Sequence, residues 1–213
     1  MRKSSKEEIM NFQYLIYIHA AFGGIALLAG TFAIIAKKGS SAHKKSGKVF
    51  YYIMLASALT ALVISAIPSN FNPFLFSIGV FSAYLIISGY RALRYKRKVV
   101  SLVIDKTLTG VMMITGLGMI LMPVILEGKP NIVLAVFGII SLILTLGELR
   151  AYKNLEKLRK GWLAKHLGNM IGGYIAAVTA FIVVNQILPG VYGWLTPTAV
   201  GLGYMFYWTK KIK

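Results

Sequence analysis

Long blocks in which almost every position is apolar alternate along the chain with short segments rich in lysine, arginine, glycine and proline. The blocks cover residues 12–36, 49–67, 74–90, 107–126, 132–149, 167–188 and 191–208. Inside them the apolar residues keep neither an amphipathic helical period nor a strict alternation. A helix that is apolar all round suits hydrocarbon, whose core of about 30 Å needs roughly 20 residues at 1.5 Å each. In lipid each backbone N–H and C=O must be satisfied within the segment or in a closed barrel. Barrel strands alternate lipid-facing and lumen-facing residues, and these blocks do not. The pattern predicts an all-α, polytopic transmembrane helical bundle of seven spans, forming one domain over residues 1–213. The first block is too long for a signal-peptide core and has no small-residue cleavage site, so it counts as a span.

The polar segments orient the bundle. Loops 37–48, 91–106 and 150–166 carry five, six and six Lys or Arg residues, and the tail 209–213 carries three. The alternate segments carry only Arg2, Lys3, Lys6 and Lys129. Twenty against four, in short loops, is a positive-inside signal that puts the N-terminus outside and the C-terminus in the cytoplasm. The outer connections, 68–73, 127–131 and Pro189-Gly190, are rich in turn formers. Tyr14, Tyr51, Trp162, Trp194 and Trp208 fall near the predicted interfaces, where an aromatic belt belongs. Within 150–165, Ala151, Leu155, Leu158 and Trp162 recur at helical spacing among basic residues. That spacing fits either an amphipathic helix in the headgroup layer or a cytoplasmic extension of span five.

Composition changes the picture little. The chain is 57% hydrophobic and 14% charged, unlike a soluble domain. A net charge of +18 would otherwise suggest nucleic acid, but the charge lies in the loops, where it opposes translocation and meets anionic lipid. The predicted partners are therefore the lipid bilayer and anionic headgroups at the cytoplasmic face, with no nucleic acid. The predicted location is a bacterial cytoplasmic (inner) membrane. The absence of cysteine excludes thiolate metal sites, disulfides and cysteine nucleophiles. There is no P-loop, no G-x-S-x-G and no lysine inside span seven for a retinal Schiff base.

Three histidines are the first candidates for chemistry. His19 lies inside span one and begins a face of small residues, Gly23, Ala26 and Gly30. Such a face admits a neighbouring helix or a flat cofactor. His43 precedes span two, and His166 opens span six on a face with Asn169, Gly173, Ala177 and Ala180. Glu148, at the inner end of span five, continues a stripe through Thr145, Ser141 and Gly138, and Asp105 lies just before span four. His43, His166, Glu148 and Asp105 could converge at the cytoplasmic face as N/O ligands for Zn or another divalent metal. Paired imidazoles could hold haem b axially. The structural alternative ties Glu148 to Arg150 or Lys153, and Asp105 to Lys106 or Arg94, as helix-end anchors; His19 would then bond across two helices. Met112, Met113, Met119 and Met122 do not share one helical face and read as packing residues.

Three segments carry a family resemblance: IHAAFGGIALLAG in span one, HKKSGKVFYYIMLASALTAL entering span two, and WLAKHLGNMIGGYIAAVTAF entering span six. Together they resemble the bacterial membrane proteins of domain of unknown function 2306. The family pattern has a histidine in the first span, a His-basic-x-x-Gly element before the second, and a late Trp and His before a small-residue span. His19, His43 with Gly47, and Trp162 with His166 stand in those places, with Lys44 where other members carry Arg. The resemblance supports treating His19, His43 and His166 as a set and implies no activity; from their residue type and placement these three are the candidate cofactor-binding residues.

Three functions fit these features. One is a membrane redox protein with a His-based haem or divalent-metal site near the cytoplasmic face. Another is a metal-dependent membrane hydrolase, in which the same ligands would activate water. The third is a small-solute transporter or binding protein, with His19 and Glu148 as polar steps along a path. No residue is singled out as catalytic.

Overall fold

The computed structural model describes residues 2–68, 71–97 and 99–211, with side chains described for residue 10 and from residue 12 onward. Within them the chain is all helical. The helices are α1 (Arg2–Ile35), α2 (Ser41–Ala66), α3 (Pro73–Arg91), α4 (Val103–Glu127), α5 (Ile132–Ala151), α6 (Leu155–Lys160), α7 (Trp162–Val184) and α8 (Val191–Lys211). A single 3-10 turn, Ala92–Arg94, follows α3. Six of these elements are long and apolar enough to cross a membrane: Phe12–Ile35, Ser41–Ala66, Pro73–Arg94, Val103–Glu127, Ile132–Ala151 and Trp162–Val184. The seventh apolar block forms α8, which has the length but not the apolarity. Its Gly, Pro, Thr, Tyr and Trp residues bring its hydropathy below that of the other six.

The chain divides into two compact units, Met1–Gly79 and Val80–Lys213. In the first, α1 and α2 pack along one another around Ala26, Phe50, Met54 and Ala58, all buried. The link between them turns at Gly39, whose φ of +81° suits a residue without Cβ. Ser40 then caps α2 by accepting a hydrogen bond from the His43 N–H at 3.2 Å. Lys38 reaches back to the last carbonyls of α1, at Ala33 and Ile34, where the helix dipole favours a cation.

In the second unit α4 packs on α5 and α7 on α8. Close approach of α4 and α5 depends on Gly138, where a Cβ would stand 2.7 Å from the Gly116 carbonyl oxygen. Small residues of this kind let helices meet where lipid supplies no hydrophobic drive. Gly128, at φ +69°, ends α4, and the Asn131 side chain caps α5 through the Leu134 N–H at 3.1 Å. The basic stretch after α5 does not prolong that helix. Asn154 caps a separate short helix, α6, whose Leu158 packs with Ala92, Tyr95 and Tyr152, flanked by Trp162.

Polarity is distributed inside out. Large apolar side chains such as Phe32, Ile114, Ile125, Ile132 and Ile143 are exposed, as lipid contact requires. The buried set includes Ser88, Arg91, Asp105, Thr109, Ser141, Thr145 and Asn169. Ionisable groups at bundle interiors are costly and mark sites.

Candidate functional site

Four helices of the second unit bring polar side chains together at one set of ends: the C-terminal ends of α3 and α5 and the N-terminal ends of α4 and α7. Each helix contributes residues one turn apart on a single face. They are Tyr84, Ser88 and Arg91 on α3, Asp105 and Thr109 on α4, Glu148 with Tyr152 at the end of α5, and Lys165 with Asn169 on α7. Spacings of three and four residues are what a helix needs to aim two side chains the same way.

Asp105 forms the rigid end of this cluster. Arg91 grips it bidentately, Nε donating to Oδ1 at 2.9 Å and Nη2 to Oδ2 at 2.6 Å. The Tyr95 hydroxyl donates to Oδ1 at 2.7 Å. Asp105 is 2% exposed and Arg91 8%, so both charges depend on each other and on their forked geometry.

Glu148 forms the other end. Lys165 Nζ lies 2.7 Å from its Oε2, with both side chains largely buried. The Ser88 hydroxyl donates to Oε1 at 3.2 Å, and Tyr152 donates to Oε2. Thr109 Oγ1 lies 3.3 Å from Oε2 and 3.0 Å from the Tyr152 hydroxyl. Asn169 supports the set by donating to Ser88 Oγ at 3.0 Å. Lys165 Nζ also sits 5.3 Å from the ring centres of both Tyr95 and Tyr152, a cation–π cage that joins the two ends. Burial, with the Asp105 hydrogen bond second, pushes the Tyr95 phenol well above its usual range. Burial and then the Glu148 charge do the same to Tyr152. Both stay neutral donors at any physiological pH.

Two groups here have capacity left over. The buried Tyr84 hydroxyl lies within electrostatic reach of Glu148 and Thr109 without a well-aligned hydrogen bond. Lys165 Nζ is paired with Glu148 by distance, but its approach is off the hydrogen-bonding direction. A buried donor without an aligned acceptor is expensive, so the pair marks a place suited to a hydrogen-bond acceptor.

The carboxylates are thus paired, as the structural alternative expected, but with other cations. Arg91 takes the place expected for Lys106 or Arg94, and Lys165 that expected for Arg150 or Lys153. Lys106 and Arg150, one and two positions from their acids, diverge on the helix, whereas a base from a facing helix can meet the acid directly.

The three histidines share one local arrangement. His19 Nδ1 lies 3.0 Å from the Ser57 carbonyl oxygen, with Ser57 Oγ and Thr60 Oγ1 beside it, so it does bond across α1 and α2. His43 Nδ1 lies 2.9 Å from the Ala33 carbonyl oxygen, and His166 Nδ1 2.8 Å from that of Gly89. A carbonyl accepts, so each Nδ1 carries a proton and donates it. His43 belongs to the first unit and His166 to the second. Among the described residues no group of three or more His, Asp and Glu side chains is placed to hold a metal ion.

Residues 16–101 match the family model described as predicted membrane protein (DUF2306). The DUF2306 match takes in His19, His43 and Gly47 and bears out the resemblance over those residues. It stops before the Trp162–His166 element and covers less than half of the chain. No curated protein and no solved structure matches. With six long apolar helices, the DUF2306 match makes this a helical integral membrane protein.

Proposed function

We propose that this protein binds a small polar solute at the Lys165–Glu148 site and moves it, coupled to protons, across the membrane. The observation that carries the reading is the buried ion pair ringed by Tyr84, Tyr95 and Tyr152, with donor capacity in excess at Tyr84 and Lys165. A buried acid–base pair whose hydrogen bonds are incomplete can exchange a proton or admit an acceptor at less cost than a saturated one. The saturated Arg91–Asp105 pair holds the site in place. The reading includes seven spans in a bacterial inner membrane, with the N-terminus outside and the C-terminus cytoplasmic; the twenty-to-four division of positive charge supports that orientation. In this orientation the site lies at the cytoplasmic ends of α3, α4, α5 and α7.

Proteoliposomes loaded with a pH-sensitive dye test the proposal, challenged in turn with small carboxylates, amines and neutral polar solutes. A solute that drives proton flux through the wild type, but not through Glu148→Gln, is the expected result. Flux that no solute drives, or that survives in Glu148→Gln, removes the transport reading.

The histidine geometry supports a second reading, a haem or divalent-metal site. Histidines that ligate metal typically donate their other ring N–H to a carbonyl or carboxylate, and His19, His43 and His166 all do so. Haem b would use His19, His43 or His166; of the candidate Zn ligands, His43 belongs to the first unit and His166, Glu148 and Asp105 to the second, where both carboxylates would first give up their present cations. A Soret band that disappears in His43→Ala or His166→Ala supports haem, and about one zinc per chain supports a metal. A colourless, metal-free preparation leaves the solute reading alone.

A further inference from the structure

A second polar feature of the same unit lies on its surface, outside the Lys165–Glu148 site. Between the segment after α3 and the short helix α6 runs a cleft of about 170 Å³. Tyr95 and Leu158, both buried, form its base, and Arg97 and Arg159 stand on its sides. Its one acid, Glu156, is taken up by Lys160 at 2.8 Å. Among the described residues neither Arg97 nor Arg159 makes an ion pair, and both line this one cleft.

We propose that this cleft seats the phosphate of an anionic phospholipid headgroup. Two planar guanidinium forks match phosphate oxygens better than lysines would, since each can donate two parallel hydrogen bonds. The surroundings distinguish a lipid from a soluble phosphate. Val100 and Leu155 line the cleft, and Val99 and Leu155 are 88% and 55% exposed. An apolar rim beside a cationic cleft suits a ligand with both a charged head and acyl chains. The level is also right. Lys96 Nζ lies 5.2 Å above the Trp162 ring, an aromatic–cation pair of the kind found at headgroup depth. Trp162 begins α7, so the cleft lies where a candidate span ends. Anionic lipid attracts basic segments at such places. Tyr95 joins this cleft to Asp105, so an occupied headgroup site would brace the wall of the buried cluster.

The test uses the full chain in mixed micelles, following thermal unfolding by tryptophan fluorescence. The additives are phosphatidylglycerol, phosphatidylcholine or inorganic phosphate. Phosphatidylglycerol raises the midpoint in a saturable way, while phosphatidylcholine and inorganic phosphate do not. Arg97→Gln with Arg159→Gln weakens the apparent affinity for phosphatidylglycerol about tenfold or more. Lys210→Gln with Lys211→Gln, which removes the same charge elsewhere, leaves it unchanged. Both arginines are exposed, so the fold tolerates their loss; Arg159→Gln alone serves if the double variant does not purify folded. The proposal is overturned if the arginine variant keeps the full response, if the lysine variant loses it equally, or if inorganic phosphate reproduces it.

Discussion

Replacing Asp105 by Asn removes one charge from a pair that is almost wholly out of solvent. The new amide can accept from Arg91 with one oxygen only, and its NH2 would face the second guanidinium nitrogen now bonded at 2.6 Å. The Tyr95 hydroxyl loses a charged acceptor at 2.7 Å. Breaking a buried ion pair from one side costs about 3–5 kcal/mol, because the remaining charge stays buried without compensation. That is a shift of roughly two to three and a half decades in the unfolding equilibrium. Removing both members together, as Arg91→Met with Asp105→Leu, eliminates the orphaned charge and returns stability to within about 1–2 kcal/mol of wild type. The assay is reversible unfolding in mixed detergent micelles, read by tryptophan fluorescence, completed as a double-mutant cycle. Glu156→Gln is the control. Its ion pair to Lys160 is exposed on both sides and contributes at most about 0.5 kcal/mol. If Asp105→Asn costs no more than Glu156→Gln, or the double variant is as unstable as the single one, the buried-pair account fails.

Further consequences follow from packing and protonation. Gly138→Ala places a methyl group 2.7 Å from the Gly116 carbonyl oxygen, so α4 and α5 must separate, at about 1–3 kcal/mol in the same unfolding assay; a neutral outcome would mean the helices do not meet there. Tyr95 and Tyr152 keep their protons in the folded protein to higher pH than in the unfolded chain. Their contribution is complete below pH about 10, and above it the unfolded state releases protons the folded state retains, so stability falls by up to about 1.4 kcal/mol per pH unit per group. Phenolate absorbance should show at least these two tyrosines silent until unfolding, and early titration of all twelve would contradict their burial. His19→Ala removes an interhelical hydrogen bond and should cost about 0.6–1.7 kcal/mol, while His19→Phe, which keeps the bulk, should lose a similar amount.

Apolar blocks alone located six membrane-length helices, because hydrocarbon thickness imposes a length and an all-round apolarity that no other environment requires. Block 191–208, expected as a seventh span, forms α8 but falls outside that set, since its apolar residues are interleaved with Gly, Thr, Tyr and Trp. At the site, Glu148 and Asp105 stood out as rare acids. Their partners did not, because lysines and arginines in this chain are numerous and mostly in loops. In the sequence Lys165 belongs to the basic loop before span six, yet it is the third residue after the start of α7 and points inward. The signal that would have found it is the recurrence of Ser88 with Arg91, Asp105 with Thr109, Glu148 with Tyr152 and Lys165 with Asn169 at three- or four-residue spacing. Each pair is ordinary alone; only four at corresponding helix ends predict a shared cluster. The histidine carbonyl contacts had no sequence signature, since any backbone oxygen can accept.

The two buried acids differ in when their bases are made. Arg91 precedes Asp105 in the chain, so a ribosome feeding this protein into a bilayer supplies the cation before the anion that needs it. Glu148 arrives in the opposite order, seventeen residues ahead of Lys165. Until α7 enters, its carboxylate has only the hydroxyls of Ser88, Thr109 and Tyr152 to lean on. The two acids therefore meet their bases at different times: Asp105 finds Arg91 as soon as α4 follows α3, whereas Glu148, on an α5 already packed against α4, waits for the charge that α7 brings.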